Sequence, residues 1–386
     1  MTSRDELPVI AAGLAGAATP HQSLLTGGPI TLRVSSTSPG PLAALAAALS
    51  PYLRPTRADP HPAHFHGIEQ ISIHTDPTQA ARLRQLAVRP GEGAHGVRLV
   101  RAGAGAGQQH REAFLLWQRA TPHTSHLVLD HPGPATDRVL LRLVRGIAGR
   151  CLITAGWVPL HAAAALTHAG LIVLTGPSGA GKTTALLALL ASRLGHAFVT
   201  NDKIYLTLSN NGVRAWALPT SLALRPETIA MFPNLSDLIT QGALSHVDNH
   251  SGRVGADSRV LVPLRQLADA FGVPLHPGGP VAAIVDLSYH GPSQPSWWRP
   301  TGPTRAVDAV TRGYLGDWFI DEPHEHSRLP VGAALLRAAH HTTLRRIASA
   351  VPVIDLTAGS DTPLVLEAIV TDLTGPADQA EPATSP

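Results

Sequence analysis

Apolar and polar positions are arranged differently along the two ends of the chain. Residues 1 to 125 carry strand-like runs, Ile30–Val34 and Ile68–His74, among Pro- and Gly-rich turns, with one helical stretch from Pro41 to Leu53. From Asp137 onward the pattern becomes regular. Val139–Ala148 repeats apolar residues at helical spacing, Trp157–His161 and Gly170–Thr175 read as strands, and Lys182–Ser192 reads as a helix. Two further strands follow at Ala197–Thr200 and Ile204–Leu208, which is the spacing of β–loop–α–β units. Val281–Val285 and Val351–Leu356 are later apolar runs that fit the same core. The expected fold class is α/β: a small α+β domain of unknown role over 1–125, a second domain over 126–375, and a tail over 376–386. That tail is Pro, Ala, Ser and acids, with too little apolar surface to offset ordering entropy, so it is expected to be disordered. The Gly/Ala run Ala102–Gly107 reads as a flexible loop, and no internal repeat marks a solenoid.

The most specific local signal follows the apolar run Leu171–Leu174. Gly176, Pro177, Ser178, Gly179, Ala180, Gly181, Lys182 and Thr183 match the Walker A pattern, in the strand–turn–helix context the pattern requires. Glycines there let backbone N–H groups turn inward on a phosphate, and the helix starting near Lys182 aims its positive dipole end at the same anion. Lys182 is expected to reach the β- and γ-phosphates, and the Thr183 hydroxyl to ligate Mg2+. Thr184 comes one residue later, as a further contact to the nucleotide or as a helix-packing residue. The nucleotide expected is ATP.

Three segments together carry a family resemblance: Trp157–Ala164, then Gly170–Thr184, then Gly195-His-Ala-Phe-Val-Thr-Asn-Asp202. They resemble the HPr kinase/phosphorylase-like P-loop kinases, from about Val139 to Leu373. The end of the chain, Val351–Ala358 followed by the helical Pro363–Leu373, looks like the terminal strand and helix of that family. The resemblance implies a mixed central sheet, a kinase-like activity in a specialised bacterial pathway, and assembly into a homo-oligomer. It also implies catalytic roles for His161, Lys182, Asn201 and Asp202, with Asp202 as base or magnesium partner beside Thr183. Two departures stand out. Asn201 replaces the first acid of the family's pair, and an amide can orient an oxygen but cannot take a proton. No counterpart to the family's downstream Gly-rich signature is present, so phosphorolysis and the identity of a protein substrate stay open.

Composition narrows the function classes. The chain of 386 residues is long enough for two domains. Hydrophobic residues make up 44% and charged ones 15%, yet no uncharged apolar run reaches the roughly 18 to 20 residues a membrane span needs. The polar start lacks the basic and apolar regions of a secretory signal, which points to a cytoplasmic protein with no membrane partner. A net charge of +3 is spread over scattered arginines, so nucleic acid is not an expected partner. Cys151 is the only cysteine, which excludes a disulfide framework within the chain and reads as a buried small hydrophobe. Lysine occurs only at 182 and 203. In a chain that otherwise uses arginine, a retained lysine is a candidate for chemistry.

Weaker candidates remain. Lys203 follows the Asn-Asp pair, but neighbouring side chains in a strand face opposite ways. Val281–Asp286 has the form of an apolar strand ending in an acid, which makes Asp286 a rival magnesium partner. Arg253, Arg259 and Arg312 are candidates for a γ-phosphate clamp. His61, His64 and His66 near Glu69, and His324–His326 after Asp321 and Glu322, are histidine-rich clusters whose spacing alone specifies little metal chemistry. Trp297-Trp298-Arg299 lies in a Pro/Ser/Gly-rich stretch read as a loop, covering a substrate, a neighbouring subunit or the core. Two functions from different classes follow: an ATP-dependent kinase with an unknown peptide, protein or small-molecule acceptor, or an ATP-binding regulatory protein without transfer. A transport ATPase fits less well, since no Leu-Ser-Gly-Gly-Gln signature or repeated ATPase module occurs.

Overall fold

The computed structural model describes residues 3–56, 69–85, 93–94, 97–103, 112–118, 124–129, 131, 133–240, 245–247, 259–291, 293–316 and 333–374. Contacts divide the chain into two compact units, residues 1–157 with 317–336 and residues 158–316 with 337–386.

In the first unit, helix α1 (Ser3–Ala15) precedes a hairpin of β1 (His21–Gly27) and β2 (Ile30–Ser36), then α2 (Pro39–Leu49) and β3 (Arg54–Thr56). Next come β4 (Glu69–Thr75), α3 (Pro77–Gln85), β5 (Gly93–Ala94), β6 (Val97–Gly103), β7 (Glu112–Gln118), β8 (Thr124–Leu129) and α4 (Pro134–Thr154). All eight strands form one sheet, ordered β3-β1-β2-β4-β8-β7-β6-β5. Its centre, β2, β4 and β8, is parallel and its flanks are antiparallel. Leu32, Val34, Ile71, Ile73 and Leu127 are fully buried along those strands, and α2 and α4 pack on the sheet. Thus α4 groups with this unit, although its apolar periodicity reads in sequence as the opening of the second domain. Periodicity reports that one helix face is buried without naming the sheet that buries it.

The second unit starts with β9 (Val158–His161), β10 (Ala163–Thr167), β11 (Gly170–Thr175), α5 (Lys182–Ala191), β12 (Ala197–Thr200), β13 (Lys203–Ser209) and β14 (Gly212–Ala217). A smaller motif follows: β15 (Leu222–Leu224), α6 (Pro226–Ala230), α7 (Pro233–Thr240), β16 (Ser245–Val247), β17 (Arg259–Val262) and α8 (Leu264–Phe271). The chain closes with β18 (Gly278–Tyr289), β19 (Trp297–Pro300), α9 (Pro303–Arg312), α10 (Ala333–Ala350), β20 (Val353–Ala358) and α11 (Thr362–Thr374).

Among the described residues, nine strands make the large sheet. One path runs β12-β10-β11-β18-β14-β13-β9, with β20 beside β18 and β19 at the edge on β20. Strands β11, β18 and β20 are parallel to one another and the remaining pairs are antiparallel, so the sheet is mixed. β18 serves two neighbours on one side: Gly278–Pro280 pair with β14, while Ile284–Tyr289 pair with β20. Gly278, at φ 151°, lies so close to β14 that a Cβ would run into the Ala215 carbonyl. Leu171, Ile172, Val173 and Leu174 are all fully buried, as expected for a strand covered on both faces. Ile172, Leu174, Val285 and Leu356 share one cluster with Leu186 of α5 and Ile369 of α11, and α9 meets β11, β18 and β20.

The Trp297–Arg299 segment, read from sequence as a loop, is edge strand β19, with Trp298 opposite Leu356. Its Pro, Ser and Gly neighbours bound a short strand whose Trp residues favour the pleated surface. The 376–386 tail, both histidine clusters, Arg253 and residues 104–107 lie outside the described residues, while Glu69 opens β4. Among the described residues no helix is long and apolar enough to cross a membrane.

Candidate functional site

The backbone builds the site at a corner of the large sheet. β9 pairs with β13, whereas the next strand, β10, pairs with β11 and β12. The chain therefore changes neighbours at His161–Ala162, and again at Asn201–Asp202 between β12 and β13. The two crossings are tied together, since Ala162 donates its N–H to the Asp202 carbonyl at 3.1 Å. Thr200 braces the second crossing by donating its hydroxyl to the Lys203 carbonyl at 3.1 Å. Both crossings adjoin strands on one side of β11, where Ala163 of β10 pairs with Leu174 near its end.

From β11 the chain enters a glycine turn. Gly176, Gly179 and Gly181 have φ of 134°, 83° and 90°, which L side chains rarely adopt. At Gly176 a Cβ would also collide with the Leu287 carbonyl. Gly181 then starts α5 with no side-chain cap, so the first-turn N–H groups stay available to an anion. Leu186, Leu187, Leu189 and Leu190 are buried and anchor the helix rigidly behind that turn.

Lys182 is only 8% exposed and folds back, donating from Nζ to the Gly176 carbonyl at 2.8 Å and the Pro177 carbonyl at 3.1 Å. Burial lowers its pKa, and the carboxylates of Asp202 and Asp286 pull it back up. The Thr183 hydroxyl donates to Asn201 Oδ1 at 2.9 Å. His161 Nδ1 lies 3.0 Å from the Asp202 carbonyl oxygen and 3.3 Å from its Oδ1. Both of those oxygens accept, so Nδ1 is the donor in this pair.

These groups border a cavity of about 460 Å³ lined by His161, Ser178 through Thr184, Asn201 and Asp202. Gly176 and Pro177 do not line it; their carbonyls hold Lys182 instead. Lys203 faces His161 across the β13–β9 pair and is not part of the lining.

Asp286 lies one strand over from the turn, opposite Thr175, and is 8% exposed. It does not line the cavity. Arg312, at the end of α9, is its ion-pair partner, so this arginine and the rival acid meet each other. Burial raises the Asp286 pKa, and Arg312 opposes that rise. Among the described residues no three His, Cys, Asp or Glu side chains converge in a metal-ligating group.

Thr220, Ser221, Arg225 and Thr228, which no motif singles out, line the same cavity with Arg259. They lie beside a three-residue strand without a motif, whose Leu222 and Leu224 pack in one core cluster with β11 and α5.

The chain matches no known family model, and no curated protein matches it. Among solved structures, the Hpr(Ser) kinase/phosphatase from Coxiella burnetii is similar over 55% of this chain and 93% of its own, with 15% identity and a TM-score of 0.25. A likeness of that size does not assign the chain to a family.

Proposed function

We propose that the chain is an ATP-dependent phosphotransferase of kinase type that moves the γ-phosphoryl group to a hydroxyl of a peptide, protein or small molecule. One observation carries the reading: a glycine turn and uncapped helix start share a cavity with a Thr183–Asn201 bond and an Asp202–His161 pair. The donor set fits a magnesium nucleotide. Backbone N–H groups of Ser178 to Lys182 and the Lys182 ammonium suit phosphate oxygens, and the Thr183 hydroxyl suits Mg2+. Bound nucleotide supplies the phosphoryl group.

The residues of the chain supply position and proton handling. Lys182 exchanges its two carbonyl partners for phosphate oxygens. Asn201 holds the Thr183 hydroxyl in place. Asp202, oriented by His161, takes the proton of the acceptor hydroxyl as its oxygen bonds to phosphorus and the bond to the leaving ADP breaks.

ADP release in wild type, Lys182→Ala and Asp202→Ala, with and without hydroxyl-bearing peptides and metabolites, tests this. The expected result is acceptor-dependent release that drops about 100- to 1,000-fold in both variants. Release that persists in Asp202→Ala would remove that residue from the centre of the mechanism.

A second reading rests on Asn201. Its neutral amide replaces an acid, and its Oδ1 already accepts from Thr183. An ATP-binding regulatory or accessory protein without transfer would show tight ATP binding, lost in Lys182→Ala, and no turnover with any acceptor.

A further inference from the structure

The cavity has a third wall with no task in the reading above. In the small antiparallel sheet, Leu222 pairs with Val262, Ala223 with Leu261 and Leu224 with Val260. Leu222, Leu224, Val260 and Val262 are buried in the core, so Ala223 and Leu261 face the other way. Continuing the register by one residue sets Arg225 opposite Arg259 on that second face.

Both arginines line the cavity that the glycine turn borders. Here the two guanidinium groups stand where strands end at a cavity rim, a position in which both can hold one anion. Among the described residues, the charged lining is Lys182, Arg225 and Arg259 against one acid, Asp202. Guanidinium groups present planar forks of N–H donors that match phosphate and carboxylate oxygens. Thr220, Ser221 and Thr228 add hydroxyl donors on the same wall.

We propose that Arg225 and Arg259 form an oxyanion subsite across the cavity from the glycine turn, built to hold a phosphoryl or carboxylate group. This inference rests on the nucleotide reading of the turn and deepens it. Two sources share the chemistry: the terminal phosphoryl group of the nucleotide, or an anionic group on the acceptor beside its hydroxyl.

Calorimetric binding to the full chain separates them. Wild type, Arg225→Gln and Arg259→Gln are titrated with Mg-ADP, with the β,γ-imido analogue of Mg-ATP, and, once loaded with Mg-ADP, with inorganic phosphate. The variants are expected to bind Mg-ADP within about twofold of wild type, which also shows that they fold. Each loses about tenfold or more elsewhere, the strength of a charge-assisted hydrogen bond. Loss confined to the analogue identifies the γ-phosphoryl group, and loss confined to inorganic phosphate identifies the acceptor's anion. If a glutamine variant also loses Mg-ADP, Arg225→Lys and Arg259→Lys, which keep the charge but not the fork, are read instead. Unchanged affinity for analogue and phosphate in either variant set overturns the subsite. Wild type that binds no Mg-ADP sinks the nucleotide reading separately, and phosphate binding lost in the arginine variants would still support the subsite.

Discussion

Each unit of this protein gathers polar side chains on a sheet, but in opposite surroundings. In the first, His74 of β4 and His126 of β8 meet inside the sheet face with Nε2 and Nδ1 3.3 Å apart, and they are 1% and 2% exposed. In the second, His161, Asn201 and Asp202 at strand ends and Lys182 and Thr183 at the start of α5 surround an open cavity. Mid-strand residues are sealed by neighbours on every side, so their partners cannot be exchanged. Burial and the charge of His126 push His74 down to about 4, with Asp76 opposing, and the pair is held neutral. Residues at the corner have partners that a ligand can replace, as with the two carbonyls that hold Lys182. The contrast teaches that burial of a polar group marks stability or function according to whether it lies within a strand or past its end.

The largest expected effect strikes the second unit alone. Gly176→Val places a side chain at φ 134° and drives its Cβ into the Leu287 carbonyl, at a cost on the order of 3 kcal/mol. Amide hydrogen exchange should accelerate in β11 and β18 while β4 and β8 keep their protection. Unaltered exchange in β11 would show that the turn is not closely packed against β18.

Acid should reverse that pattern. His74 has a folded pKa of about 4, below its unfolded value of 6.5, so the unfolded chain binds more protons between them. The stability this group contributes is fully present above pH 6.5 and is lost as pH falls toward 4, by on the order of 2 kcal/mol. Urea unfolding across that range reads it, and His74→Phe should flatten the slope. A slope that persists in the variant would assign the effect to another group.

The smallest effect concerns a charge pair outside the cavity. Arg312→Gln leaves Asp286 buried without its partner, costing about 1 kcal/mol once the exposure of the arginine is discounted. Adding Asp286→Asn should restore most of that loss in thermal unfolding. Failure of the double variant to recover would mean that the two residues act independently.

Much of the fold was legible because its signals are local. Gly170–Thr175 and Ala197–Thr200 have the bounds expected from their apolar runs, and the glycine turn sits between strand and helix as its spacing implies. Corner positions were legible in part: His161, Asn201 and Asp202 drew attention through a family resemblance, and the structure brings them within hydrogen-bonding reach of one another or of Thr183. The helix at 134–154 was legible as a helix but not as a member of the first unit.

Contiguous residues by themselves determined the strands at 170–175 and 197–200, the helix after the turn and the positive-φ turn, since those depend on periodicity and on what a glycine permits within a few residues. Only the tertiary structure decided that Asp286 answers Arg312, that the Trp297 segment is an edge strand, and that Arg225 and Arg259 line one cavity. Each of those outcomes depends on the register between strands far apart in the chain. Register is set by the whole sheet, where a shift of one residue turns every side chain to the opposite face.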